Sequence, residues 1–215
     1  MAVITVFGAT GYAGGHITDE ALRRGHELIA VNRTGSAEAR PGLTPVAGSI
    51  EDETLVRDLA AKSDVLVVAV HGSVDGEPFL LPLVPSLLKA AAEGGARLGV
   101  VGGAGSLHVS EGGPRLIDVA GDLPPAIKLE AGHLAQALDA LLAADTEADW
   151  FFLSPSAEFG AHAPGERTGV FRLGGDVLLS DADGKSAISG ADYAIAFVDE
   201  IEKPAHHRAR FTVGY

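Results

Sequence analysis

Three glycines spaced three apart, Gly8, Gly11 and Gly14, lie in the segment GATGYAGG directly after the apolar run Val3 to Phe7. A stretch with helical spacing follows them, with Ile17, Ala21 and Leu22 on one face. Glycines between a strand and a helix suit a diphosphate grip. Gly8 permits a tight turn off the strand. Gly11 has no Cβ, so a pyrophosphate can approach the backbone. Gly14 lets helix and strand pack closely. The helix start offers free N–H groups and a partial positive charge. Thr10 and Tyr12 offer further contacts from the same turn. The alternative is a tight strand-to-helix turn that binds nothing; the strand–glycine–helix context weighs against it.

The tip of the second strand decides which dinucleotide fits. A site for NAD usually places Asp or Glu there, to hold the ribose 2′-hydroxyl. This chain has Val31-Asn32-Arg33-Thr34 instead. The Arg33 guanidinium suits a 2′-phosphate, and Thr34 and Ser36 are hydrogen-bond donors beside it. Arg40 is a second, weaker candidate. A solvated surface arginine is the plain alternative for Arg33. The position points to NADP(H).

These residues need a scaffold, and the hydrophobic pattern supplies one. Strands are expected at Val3–Phe7, Leu28–Val31, Thr44–Ala47, Val65–Val70, Leu98–Val101, Trp150–Leu153 and Arg210–Val213. Helices are expected at Tyr12–Arg24, Glu53–Lys62, Leu80–Glu93, Ile127–Ala144 and Ala191–Lys203, with Asp52 as an N-cap and Gly25 as a stop. Such alternation predicts a Rossmann-type α/β fold, a doubly wound parallel sheet with helices on both faces. The segment from Gly160 to Ser189 breaks the rhythm, with short strands expected near Val170–Leu173 and Val177–Leu179. At 215 residues one domain is expected, with this excursion covering the substrate crevice.

Ligands of such sheets lie outside the carboxyl ends of the strands. Ser49 and Ile50 are therefore expected near the adenine, and Ala69, Val70 and His71 near the ribose. Gly102, Gly103 and Ser106 follow the fifth strand; Ser154, Pro155 and Ser156 follow the sixth, near the nicotinamide.

The same residues resemble the short-chain dehydrogenase/reductase superfamily, and within it the atypical NmrA-like and biliverdin-reductase-B-like NAD(P)H-binding proteins. The resemblance rests on GATGYAGG, VNRT, GSIED, DVLVVAV, VVGGAGSL, the SPS segment after WFFL, and SAISGADYAIAFVDEIE, so it spans nearly the whole chain. It implies Arg33 as the 2′-phosphate contact. Typical members use Tyr-x-x-x-Lys, with Tyr as general acid. Here Lys128 opens the relevant helix, but the residue four before it is Pro124; Tyr12, Tyr193 and Tyr215 begin no such motif. Ser106 matches the family serine loosely. Atypical reductases also lack the pair and let the acceptor take a proton from water. Ser106 and Lys128 are thus the catalytic candidates, as hydrogen-bonding and electrostatic helpers. The implied function is an NADPH-dependent oxidoreductase acting on a small organic molecule. The alternative is a non-catalytic NADP(H) sensor of the NmrA-like type. An epimerase using bound NAD is disfavoured by the missing Tyr and the short C-terminal region.

Other chemistry fits less well. The eight histidines include no H-E-x-x-H or other metal-binding spacing, and no metal is expected. His71 and His108 follow central strands and offer an acid on the nicotinamide side, or are ordinary polar rim residues. His133 lies one turn after Lys128. His206-His207 reads as a solvated turn. Asp181 to Gly184 reads as a hairpin turn rather than a calcium loop. Arg167 in PGERT suits an anionic substrate group or a salt bridge. No G-x-S-x-G elbow or P-loop occurs. The net charge of −13 makes nucleic acid a poor partner. The absence of cysteine fits a reducing cytoplasm, and neither a signal peptide nor a membrane span is expected. The apolar long helices leave room for a homodimer.

Overall fold

The computed structural model describes residues 1–35, 38–121 and 123–215. The first β-α-β unit is β1 (Val3–Phe7), α1 (Tyr12–Arg23) and β2 (Glu27–Asn32), followed by β3 (Leu43–Ala47), α2 (Glu53–Ala60) and β4 (Val65–Val68). A small hairpin, β5 (Ser73–Val74) and β6 (Glu77–Pro78), leads through a 3₁₀ turn at Leu81–Leu83 into α3 (Val84–Gly94) and β7 (Arg97–Val101). A second 3₁₀ turn (Ala104–Ser106), α4 (Leu116–Val119), α5 (Pro125–Ala143), β8 (Trp150–Ser154), β9 (Arg172–Gly174), α6 (Gly190–Glu202) and β10 (Ala209–Gly214) complete the chain.

Eight strands form one sheet in the order β3-β2-β1-β4-β7-β8-β10-β9. Every neighbouring pair is parallel except β10 and β9. The chain winds outward from β1 to β3, then returns to lay β4 on the other side of β1. That reversal opens a crevice at the carboxyl ends of β1 and β4.

Alternate side chains along each strand feed two cores. Phe7, Val68, Val100, Trp150 and Phe152 pack on one face with Leu87 of α3 and Leu138 and Leu141 of α5. Ile4, Val6, Val67, Phe151 and Leu153 pack on the other with Ile17 of α1 and Tyr193 and Phe197 of α6. Burial on both faces is why these strands read as continuous apolar runs. Pro45 is tolerated in β3 because that strand is an edge. Asp52 caps α2 as expected, its Oδ1 accepting from Thr54 N and Leu55 N. Gly25, at φ +82, takes the left-handed turn after α1.

The structure departs from the pattern in several places, among them the unexpected hairpin of β5 and β6 and the short α4. The helix expected from Leu80 begins as a 3₁₀ turn, and α3 starts at Val84; Pro82 and Pro85 supply no N–H to the helical ladder there. β4 stops at Val68, because the chain beyond Val70 turns toward α5, where Glu130 takes the Gly72 and Ser73 amides. The strand expected at Val177–Leu179 is only an isolated bridge from Val177 to His108. The one expected at Val170–Leu173 lies at Arg172–Gly174, where Leu173 pairs with Val213.

Candidate functional site

The glycine loop joins β1 to α1 at the switch point. Gly8 has φ +85, and a Cβ there would lie 2.2 Å from the Ala69 carbonyl oxygen. A Cβ on Gly14 would lie 2.2 Å from the Gly8 carbonyl oxygen. Both positions are therefore closed to any side chain. Gly11 is different: it is the N-cap of α1, and a Cβ there would meet only the Gly8 oxygen, at 3.3 Å. No side chain caps α1, and its first turn holds no acidic residue, whereas α2 and α6 are capped by Asp52 and Ser189. The amides at the start of α1 are left for an external acceptor. A dinucleotide diphosphate fits this cradle: the backbone is bare, tightly turned and electropositive.

Beside the cradle, Arg33 is exposed and makes no hydrogen bond or ion pair among the described residues. Asn32 anchors the turn through its carbonyl oxygen, which accepts from Gly48 N at 2.9 Å, and its Oδ1 accepts from Thr34 at 3.4 Å. Arg40 is paired with Asp19. A hollow of about 180 Å³ opens here, lined by Thr10, Thr18, Glu38 and Arg40 among others. The Thr18 Oγ1 is buried without a hydrogen-bond partner. Ser36 lies outside the described residues. Ser49 hydroxyl bonds Glu51 at 3.1 Å. Ile50, expected beside the adenine, is only 6% exposed and its side chain belongs to the core against α2 and α3.

At the other end, Ala69 touches the cradle, its Cβ lying 3.1 Å from where a Cβ on Gly14 would stand. His71 is 82% exposed at its side chain. Gly72 N and Ser73 N each donate at 2.8 Å to Glu130, one to each carboxylate oxygen. Gly102 is glycine for packing: a Cβ would lie 2.1 Å from the Phe152 ring. Ser106 is 2% exposed and its hydroxyl accepts from Arg210 at 3.3 Å. The Arg210 guanidinium is also held by Asp176 at 2.7 Å. Lys128 stands exposed in the first turn of α5, with no side-chain partner among the described residues. The structure thus does not bring Ser106 and Lys128 into a bonded pair. Arg210 and Glu130 were missed in the sequence; nothing in the spacing marks either one. His108 Nδ1 lies 2.6 Å from the Gly113 carbonyl, and His133 Nδ1 is buried without a partner. Ser154 Oγ is likewise buried and unpartnered at the end of β8, and Ser156 donates to the Val213 carbonyl.

The excursion after β8 is tied down over α1 and α6. Tyr12 donates to the Pro164 carbonyl and accepts from Gly190 N. Its hydroxyl is thus engaged, and only the backbone of Tyr12 is left for the cradle. Burial pushes its pKa up, against the Gly190 bond. Asp192 accepts from Thr168 N, Thr168 Oγ1, Gly169 N and Tyr215 OH. Burial alone would raise this carboxyl; those donors outweigh it and hold it below the usual range. Arg167 makes the salt bridge: it reaches Glu20 of α1 at 2.8 Å, where Arg23 and Arg24 also converge. Glu20 is buried, which would raise its pKa, yet the three guanidinium groups bring it down to about 2.

His206 is no solvated turn. It bonds the buried Glu200 at 2.7 Å and stacks on Phe211, because a buried carboxylate needs donors. His207 pairs with Asp149. Asp181 does form a tight turn, accepting from Asp183 N and Lys185 N. Among the described residues no helix is long and apolar enough to cross a membrane.

Comparison with known proteins gives one consistent result. The model of the NAD(P)H-binding family matches residues 8–204. The uncharacterized protein YwnB of Bacillus subtilis is 38% identical over 215 residues, covering 98% of this chain and 97% of that protein. A structure from Burkholderia pseudomallei, proposed to be an exported protein, is 37% identical with a TM-score of 0.86, covering 100% of both chains. A Streptococcus pneumoniae structure, proposed to be an NADH-flavin reductase, is 32% identical with a TM-score of 0.86, covering 100% of this chain and 99% of that one. With the uncapped glycine cradle at the switch point, these matches place the chain in the NAD(P)H-binding family of Rossmann-fold proteins.

Proposed function

We propose that this chain is an NADPH-dependent oxidoreductase that passes hydride to a small organic acceptor. The observation that carries the reading is the bare amino end of α1 with Arg33, unpaired among the described residues, beside it. The nicotinamide supplies the hydride chemistry when bound. The first-turn amides of α1 hold the diphosphate, and Gly8 and Gly14 keep the backbone close enough to do so. Arg33 and Thr34 receive the 2′-phosphate. Ser49 and the Ile50 backbone flank the adenine, and Ala69, Val70 and His71 line the ribose side. Lys128 supplies a positive charge near the acceptor, and Ser106 a hydroxyl polarised by Arg210. A chain without cysteine suits the cytoplasm.

Calorimetry with NADPH and NADH tests this. Arg33→Ala removes a charge-assisted contact of about 1.5–3 kcal/mol, so NADPH affinity is expected to fall roughly 10- to 100-fold while NADH affinity holds. Equal loss for both cofactors would remove the NADPH preference. Failure of both to bind at millimolar concentration would remove the oxidoreductase reading itself.

One observation favours a second reading, an NADP(H) sensor without turnover: all three tyrosine hydroxyls are engaged in structural bonds. Following nicotinamide absorbance with flavins, quinones and aldehydes separates the two. The Streptococcus relative makes a flavin the first acceptor to try.

A further inference from the structure

A reductase whose tyrosines are all engaged takes the proton that accompanies the hydride either from water or from another side chain. Tyr12, Tyr193 and Tyr215 donate to Pro164, Leu153 and Asp192. Ser106 is buried against Arg210, and the His108 ring is bound to Gly113.

His71 stands apart from these. Two residues before it, the Ala69 carbonyl presses on Gly8 of the cradle. Directly after it, the Gly72 and Ser73 amides are clamped by Glu130, and a Cβ on Gly72 would lie 2.6 Å from Leu134. The backbone carrying His71 is therefore fixed from both sides, by the diphosphate cradle and by α5. Its Nδ1 lies 3.7 Å from Glu130 Oε1, while the side chain stays 82% exposed at the carboxyl edge. Glu130 is the one charged group paired with the ring among the described residues; Lys128 stands two residues earlier on α5, and Asp75 and Glu77 belong to the adjoining hairpin.

We propose that His71 is the proton donor of the reaction and Glu130 the positioning residue that holds it, an inference that rests on the reductase reading above. The acceptor class is then a carbonyl or quinone oxygen. As the acceptor takes hydride from C4 of the dihydronicotinamide, the His71 imidazolium gives its proton to that oxygen. When bound, the dihydronicotinamide would supply the hydride, which together with the His71 proton would turn a carbonyl into its alcohol, with new C–H and O–H bonds, or a quinone into its hydroquinone, leaving the oxidised nicotinamide as the other product. The neutral imidazole then regains a proton from water.

The test uses the full chain with NADPH, and menadione and 4-nitrobenzaldehyde as acceptors. His71→Asn, at an exposed position, is expected to lower kcat about 100-fold. It should also flatten the decline of rate with rising pH. Glu130→Gln should lower kcat less and keep the pH-dependent limb. Independently of turnover, NADPH should shift the His71 ring resonances in NMR spectra and leave those of His206, at the opposite edge, in place. An active wild type with an unaltered rate and pH profile in His71→Asn overturns this inference alone. So do His71 resonances that ignore bound NADPH. A wild type that binds no nicotinamide cofactor, or turns over neither acceptor, overturns the reductase reading with it.

Discussion

Two neighbouring glycines of α1 should respond to alanine with opposite signs. A methyl group at Gly14 would stand 2.2 Å from the Gly8 oxygen, 2.8 Å from its carbonyl carbon and 3.1 Å from Ala69 Cβ. Gly8 has little freedom to retreat, since its N–H bonds Val31 O and its carbonyl accepts from Gly11 N. A methyl at Gly15 would meet only Ala9 O, at 3.7 Å, an ordinary contact. Alanine improves helix propensity by about 1 kcal/mol at either position. At Gly14 the backbone clash costs about 3 kcal/mol, the upper range for overpacking, leaving a net loss of about 2 kcal/mol. For a chain of this size that is a drop in Tm of roughly 4–8 °C. Gly15→Ala keeps its gain of about 0.4–1 kcal/mol and should melt roughly 1–4 °C higher. Thermal unfolding by circular dichroism without cofactor gives both numbers. Calorimetry should then show NADPH binding weakened in Gly14→Ala, whose Gly8 carbonyl has been displaced, and unchanged in Gly15→Ala. A Gly14→Ala protein that melts at or above wild type would refute the close-approach argument.

Two further outcomes follow from the tie-down of the excursion. Glu20 sits at about 2 in the folded chain, below its usual 4.5, so its stabilisation is present above pH 4.5 and drains away as pH falls toward 2. The shift sets an upper limit of about 3 kcal/mol, and Glu20→Gln should lower the urea midpoint at pH 7 while flattening its fall below pH 4.5; an acid limb identical to wild type would contradict this. Tyr215→Phe removes the hydroxyl shared by Asp192, Ser189 and Glu166, which should cost about 1–2 kcal/mol and expose residues 160–170 to limited proteolysis, and unchanged cleavage would sever the link.

Much of the scaffold was legible because its determinants are local. The glycine triplet, the Asp52 cap and the Val65–Val68 run each carry their signal within a few residues, and each element formed. The β5–β6 hairpin was legible too but overlooked: Asp75 and Gly76, both at positive φ, are the Asp-Gly pair that a two-residue hairpin favours. Other features had no local signature. Ile50 looked like a strand-tip ligand residue, yet its side chain fills the core beneath α2. Arg210 reaches Ser106 across 104 residues, and Glu130 grips amides 57 and 58 residues away. Such contacts depend on strand order, which spacing along one chain does not encode. His206 misled for the same reason: its partner Glu200 becomes a buried carboxylate only once α6 docks.

An acidic chain that holds an anion poses an electrostatic question, and the arrangement of carboxylates answers it. The net charge is −13, and uniform spread of that charge would repel a dinucleotide from any face. Screening limits each exposed charge to about 8 Å at physiological salt, so only the groups around the cradle count. Several carboxylates of α1 and α6 are paired. Glu20 is held by Arg23, Arg24 and Arg167, Asp19 by Arg40, and Asp192 by four hydrogen-bond donors. The first turn of α1 contains no acid at all. The partial positive charge at the start of α1 and the guanidinium of Arg33, unpaired among the described residues, face this region, with Glu38 lining the adjoining hollow. The excursion that carries Arg167 and binds Asp192 therefore does two things at once. It closes over α1 and α6, and it supplies partners for the carboxylates of Glu20 and Asp192. A tyrosine hydroxyl used for that closure, as in Tyr12 and Tyr215, is engaged in structural bonds.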